Sequence, residues 1–208
     1  MTTAKDALTE VRLAYRLVHE YQRTILDLTA HLGRRLADAR PGLTFQRWRP
    51  LRHAPPPPPE VDPSGEGRWA WELLPGHHVE VLWGTGAQPA PGALGVRMHH
   101  LADDGFQLGS GEPRPADFPP AAACMTSLTF RAVAVRRVEA HLGWDDLIAM
   151  VPNADGTAWD EGRVHRFDSG ANAFWYGGLN IDAVTIASAD LAEARLVSPL
   201  LKLVRGLA

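Results

Sequence analysis

Residues 3–40 read TAKDALTEVRLAYRLVHEYQRTILDLTAHLGRRLADAR, thirty-eight positions without a proline. Val11, Val18, Ile25 and Leu32 recur at a strict seven-residue step, and Ala14, Tyr21 and Leu28 fill the other half of the seam. That stripe predicts one long amphipathic helix. Glu10, Arg12, Arg16, Glu20, Arg23 and Asp27 lie off the stripe, and Pro41-Gly42 stops the helix. Gly33 is the weak point near its end, where a kink is expected. A helix of about 36 residues spans about 54 Å, more than the width of a compact domain of this size. Most of the stripe is expected to lie on a sheet of the same domain. The surplus length leaves one end projecting, and a projecting apolar end points to pairing with a second copy.

Strands follow. Residues 43 to 49 (Leu43 to Arg49) predict the first. Five prolines, Pro55 to Pro59, lie in a stretch at about 53–67 that reads as a stiff surface connector of polyproline II type. Trp69, Trp71 and Leu73 alternate with Ala70 and Glu72, and after Pro75-Gly76, Val79, Val81 and Trp83 alternate with His78, Glu80 and Leu82. Two alternating runs around Pro-Gly predict a hairpin. Val96, Met98 and His100 predict a further strand, and Leu128, Phe130 and Ala132 begin another, after a loop at 102–123. His141 to Met150 reads as a short helix, and Arg163 to Phe167 and Ala173 to Tyr176 as short strands. Leu179 to Ala187 is β-branched and predicts a last strand. Asp190 and Glu193 have capping-box spacing and predict a helix start there, and Ser198-Pro199 reads as the N-cap and first position of a second, terminal helix. Strands clustered between helices predict an α+β fold. The expectation is a single domain over residues 1–208: a long N-terminal helix packed on a mainly antiparallel sheet, with C-terminal helices.

Composition narrows the function classes. Of 208 residues, 45% are hydrophobic and 22% charged, the balance of a globular chain rather than a disordered one. A net charge of −3 argues against a chain that coats nucleic acid. No stretch approaches the roughly 18 apolar residues of a spanning helix, so no membrane association is expected. No basic-then-apolar leader opens the sequence, and the single cysteine, Cys124, excludes an internal disulfide. The reading is cytoplasmic. Arginine outnumbers lysine 19 to 2, a bias that a GC-rich genome explains, so no arginine is singled out for being arginine.

Three constellations carry chemistry. His77-His78 and His99-His100 lie on strands that can neighbour one another. His78 and Glu80 share a face, because strand side chains alternate. With His99 or His100 they form a candidate site for a divalent cation, zinc or non-haem iron, and a hydrolase-like metal enzyme is one alternative function. No H-E-x-x-H or C-x-x-C spacing backs it. Second, Arg34, Arg35, Arg40, Arg47, Arg49 and Arg52 face only Asp38 within residues 34–53, with Phe45 and Trp48 between them. Arg47, Trp48 and Arg49 are candidates for contact with nucleic acid or a phosphorylated ligand. An opposite patch lies at residues 138–162, with Glu139, Asp145, Asp146, Asp155, Asp160 and Glu161 and no lysine or arginine. Pairing of the two patches, or plain solvation, is favoured over nucleic acid.

Third, aromatic residues gather late. Trp144, Trp159, Trp175 and Tyr176 sit near turns, and Trp175 and Tyr176 are candidates for ligand or partner contact. The simpler reading of Phe174-Trp175-Tyr176-Gly177-Gly178 is a strand end against the core followed by a glycine turn. Nucleophilic catalysis lacks support: Cys124 has an apolar setting, no G-x-S-x-G is present, and Gly109-Ser110-Gly111 and Gly84-Thr85-Gly86 lack the rest of a nucleotide-binding loop. No catalytic residue and no required cofactor emerge. The leading expectation is a cytoplasmic interaction or accessory protein without a recognisable catalytic apparatus. It is expected to form a homo-oligomer through its N-terminal helix, with a further protein partner as an option.

Overall fold

The structure, a computed structural model, describes residues 4–50, 78–107, 118–151, 162–183 and 188–207. The proline-rich connector at 53–67, the run Trp69 to Leu73, His77, Asn153 to Gly156, Trp159, Gly109 to Gly111 and residues 184–187 lie outside them. The fold is α+β, with a long N-terminal helix, a six-stranded antiparallel sheet and C-terminal helices. Helix α1 spans Ala4–Ala39. Strands β1 (Thr44–Pro50), β2 (His78–Gly84), β3 (Leu94–Leu101) and β4 (Ser127–Arg137) follow. Helix α2 (Trp144–Met150) precedes β5 (His165–Asp168) and β6 (Ala173–Asp182). Helix α3 (Ala189–Ala192), a π-helical turn (Glu193–Val197) and α4 (Ser198–Leu207) close the chain. The strand order is β1-β2-β3-β4-β6-β5, so β1 and β5 are the edges and both sides of β2 are taken, by β1 and β3.

Alternation along the strands divides the sheet into two faces. The first face carries Val81, Trp83, Val96, Met98, Leu128, Phe130 and Ile181. It packs against Leu32 and Leu36 of α1 and against Leu196, Leu200, Leu203 and Leu207 near the C-terminus. Each fully buried leucine there contributes about 1.5–3 kcal/mol over an exposed one. The second face is apolar only toward one end, where Leu82, Val133, Val135, Phe174 and Tyr176 meet Trp144, Leu147 and Ile148 of α2. The remainder of that face is charged.

Several local expectations change. Helix α1 runs unbroken through Gly33. A Cβ at that position would sit 3.0 Å from Trp83 Nε1, so the glycine lets the helix lie close on β2 rather than bending it. The two short strands expected at 173–176 and 179–187 are one strand over Ala173–Asp182. Gly177-Gly178 lies in mid-strand, not in a turn. A Cβ on Gly177 would fall on the carbonyl oxygen of Arg163 and 2.6 Å from Leu203 Cδ1, so close approach of α4 explains the residue. The helix expected from Asp190 is present and starts at Ala189, but its N-cap is Ser188, whose Oγ accepts a hydrogen bond from Leu191 N at 3.3 Å. Ser198 is helical and does not cap a separate helix. Pro199 lacks an N–H and its ring would strike the carbonyl four residues back in regular α geometry. The wider π turn just before it removes that conflict without ending the helix.

Candidate functional site

The charged part of the second face is built by register. Arg49, Glu80, His99, Thr129 and Asn180 form one row across β1, β2, β3, β4 and β6. Arg47, Leu82, Arg97, Arg131 and Gly178 form the next. Glu80 is the centre. Its carboxylate is 1% exposed, with Arg49 Nε at 3.0 Å, Arg47 Nη2 at 3.2 Å, Arg97 Nη1 at 3.4 Å and His99 Nε2 at 3.1 Å. Asp145, from the first turn of α2, closes the cluster from above. It accepts from Arg47 at 2.7 Å, from Arg49 at 3.2 Å and from Arg97 at 3.4 Å. Gly143 N donates to Asp146 Oδ2 at 2.7 Å and fixes the start of that short helix. Trp144 buries its ring, and its Nε1 donates to Gly86 O at 3.1 Å, which pins α2 to the sheet.

The protonation states follow from these neighbours. Burial pushes the Glu80 carboxyl up, but the His99 hydrogen bond and the charges of Arg97 and Arg49 outweigh it and bring it to about 2. Burial lowers the His99 imidazole, against the pull of Glu80, so the ring is neutral at pH 7 and donates to the carboxylate. Arg97 is also lowered by burial, with Glu80 opposing the shift. The cluster ties β1, β2, β3 and α2 together electrostatically.

The sequence candidates separate on this frame. His78, Glu80 and His99 do share a face, with the His78 and His99 rings 6.0 Å apart and edge-on. His100 points to the other face, where its Nε2 lies 2.5 Å from the Tyr21 hydroxyl of α1. The arginines around Glu80 oppose a cation there. Among the described residues, the group with ligand atoms close enough for a metal ion is Asp103, Asp104 and Cys124, which no sequence spacing marked. Two of its carboxylate oxygens are engaged, by Gly105 N and Met125 N. Cys124 is half-buried; burial and the Asp103 carboxylate push its thiol up, away from the reactive thiolate.

Arg47 and Arg49 project to the second face, whereas Trp48 projects to the first and is 62% exposed on the edge strand. The three therefore do not form one stacking and phosphate-binding surface. The pairing of the basic and acidic patches is present instead, through Arg47, Arg49 and Asp145. Tyr176 is core, while Trp175, on the interior strand β6, is exposed under Arg136, whose guanidinium carbon lies 4.6 Å from the ring centre. Arg97 was not anticipated, although an arginine inside the apolar run Leu94 to Leu101 is the signal that would have found it.

The length of α1 divides the helix in two. From Val18 on, one side is covered, through Tyr21, Ile25, Leu28, Leu32 and Leu36. Residues 6–17 are exposed throughout, and Leu8, Val11, Leu13, Tyr15 and Leu17 are 45% to 71% exposed. Val11 and Ala14 continue the covered side, with Tyr15 and Leu8 flanking it on one edge and Leu17 and Leu13 on the other.

Residues 2–137 match the model of the family described as PM0109, and the chain belongs to that family. The matched stretch holds α1 through β4, hence the rod and Arg47, Glu80, Arg97 and His99, but not Asp145. No curated protein matches the chain, and no solved structure matches it. No helix among the described residues is long and apolar enough to cross a membrane.

Proposed function

We propose that this chain is a non-catalytic interaction protein that assembles with a second copy of itself through the first half of α1. One observation carries the reading: twelve consecutive helical residues, 6–17, stand clear of the sheet while presenting five large apolar side chains. Such a segment has about 18 Å of rod. An isolated helix of that length is marginal in water, and apolar contact is what holds such helices. A like helix is an apt partner. Asp6, Glu10 and Glu20 balance Arg12, Arg16 and Arg23 over residues 6–23, so no net charge opposes self-pairing. The heptad step of Val11 and Val18 continues into the covered half, which gives the pair a register. Ion pairs to three arginines, two of which also pair with Asp145 of α2 at 3.2 Å or less, fit Glu80 to a structural network. A half-buried unpaired thiol at Cys124 fits a reducing, cytoplasmic setting.

Light scattering coupled to size-exclusion chromatography of the full chain tests this. The expected mass is twice the 22.7 kDa of the chain, and Val11→Asp with Tyr15→Asp is expected to return it to the single-chain value. A strict monomer at every concentration, with no co-purifying partner, sinks the reading.

A further inference from the structure

A second charged feature lies away from the Glu80 cluster and from the rod. A cleft of about 440 Å³ opens at the end of β4, β6 and β5, lined by Arg136, Arg137, Arg166, Asp168, Trp175 and Phe167 among others. Its construction departs from plain alternation. The pairing of β4 with β6 slips between Val135 and Arg137, so Arg136 is the extra residue of a β-bulge. Two consecutive arginines, which would otherwise point to opposite faces, thereby line one cleft. Arg136 lies over the Trp175 ring, and among the described residues no carboxylate stands within ion-pair range of it. Arg166 is the cross-strand neighbour of Trp175 on its other side.

Asp168 organises the remaining donors. It accepts from Arg137 Nη2 at 2.8 Å and from Arg166 Nη2 at 3.0 Å, and Gly170 N reaches it from the β5–β6 turn at 3.3 Å. The hydrogen bond from Arg166 and that backbone N–H hold its carboxyl below the usual range, so it stays ionised. Each guanidinium carries five N–H donors, and one carboxylate uses few of them. Three guanidinium charges against one carboxylate leave two positive charges facing an open cleft beside an exposed indole edge.

We propose that this cleft binds the phosphoryl group of a small phosphate monoester, between Arg136 and the Arg137–Arg166 pair, with the organic part against Trp175. A phosphate monoester carries about −1.5 to −2 charge at pH 7, which matches the uncompensated charge of the cleft. Forked guanidinium groups suit phosphate oxygens better than a single ammonium does. The Trp175 ring supplies the apolar wall. The site is independent of self-association.

Calorimetric titration of the full chain at low salt tests it, with adenosine 5′-monophosphate, inorganic phosphate and adenosine as probes. Both phosphates are expected to bind and adenosine is not. A monophosphate bound more tightly than phosphate identifies an organic ester as the ligand; equal binding identifies free phosphate. Arg136→Ala and Arg166→Ala, both exposed and outside the core, are each expected to weaken the phosphates by about tenfold or more with an unchanged melting point. Absence of heat from both phosphates overturns the proposal. So does binding of adenosine as tight as its monophosphate, or affinity unchanged in both arginine variants.

Discussion

Arg47 Nη2 lies 2.7 Å from both carboxylate oxygens of Asp145 and so fastens the edge strand β1 to α2 across 98 residues of sequence. The same guanidinium also reaches Glu80, so the buried acid and the helix share one cation. Charge segregation along the chain becomes charge neutralisation across one sheet face.

Glu80 makes that network pH-dependent. Its carboxyl sits at about 2 instead of 4.5. A depressed acid stabilises the fold fully above its unfolded value, and that contribution fades as pH falls from 4.5 toward 2. The shift corresponds to roughly 3 kcal/mol. Glu80→Gln is therefore expected to destabilise the protein by about 3 kcal/mol at pH 7, with the gap to the natural protein narrowing below pH 4.5. Urea denaturation across pH reads both. Equal midpoints at pH 7 would show that the arginines do not depend on this carboxylate.

The two halves of α1 respond differently to truncation. Leu32→Ala removes a side chain that is fully buried against the sheet, and a loss of about 2–5 kcal/mol is expected. Val11→Ala sits on the exposed half, and its effect on the single chain's stability is expected to stay within about 0.5 kcal/mol. Denaturation at low protein concentration, where assembly is suppressed, makes the comparison. A large loss from Val11→Ala would mean that the first half of the rod is covered by its own chain.

Tyr21 joins rod and sheet. Its hydroxyl lies 2.5 Å from Nε2 of the buried His100, and burial pushes its pKa to about 12. Tyr21→Phe keeps the ring and removes the partner, at an expected cost of about 1–3 kcal/mol. Thermal melts of the two proteins give the difference, and an unchanged melt would place the hydrogen bond outside the stability of the fold.

Gly177→Ala places a methyl group against the Arg163 carbonyl and Leu203. A loss of about 1–3 kcal/mol is expected from overpacking. The readout is chemical denaturation together with near-ultraviolet circular dichroism, where a native signal and unaltered midpoint would contradict a tight seat for α4.

Much of this was legible locally. The seven-residue step from Val11 to Leu32 marked α1, and the alternation of Val79 to Trp83 marked β2, because both depend on neighbours in sequence. Gly33 and Gly177-Gly178 misled the local reading. Their role is to admit Trp83 and α4, and a missing Cβ does not announce what will approach it. The candidate site was half legible. Strand alternation placed His78, Glu80 and His99 on one face, but the register that sets Arg97 beside Glu80, and α2 over both, is a long-range choice.

The sequence by itself marked α1, α2 and the strands β1 to β5, the surplus length of the first helix and the opposite charges of two distant segments. Those are properties of period, length and composition. Tertiary structure alone decided the strand order, the burial of Glu80 among three arginines, the departure of His100 to Tyr21, and the bulge that turns Arg136 beside Arg137. Each of these depends on which strands meet and in what register, and that depends on the burial of both sheet faces at once rather than on any short stretch of chain.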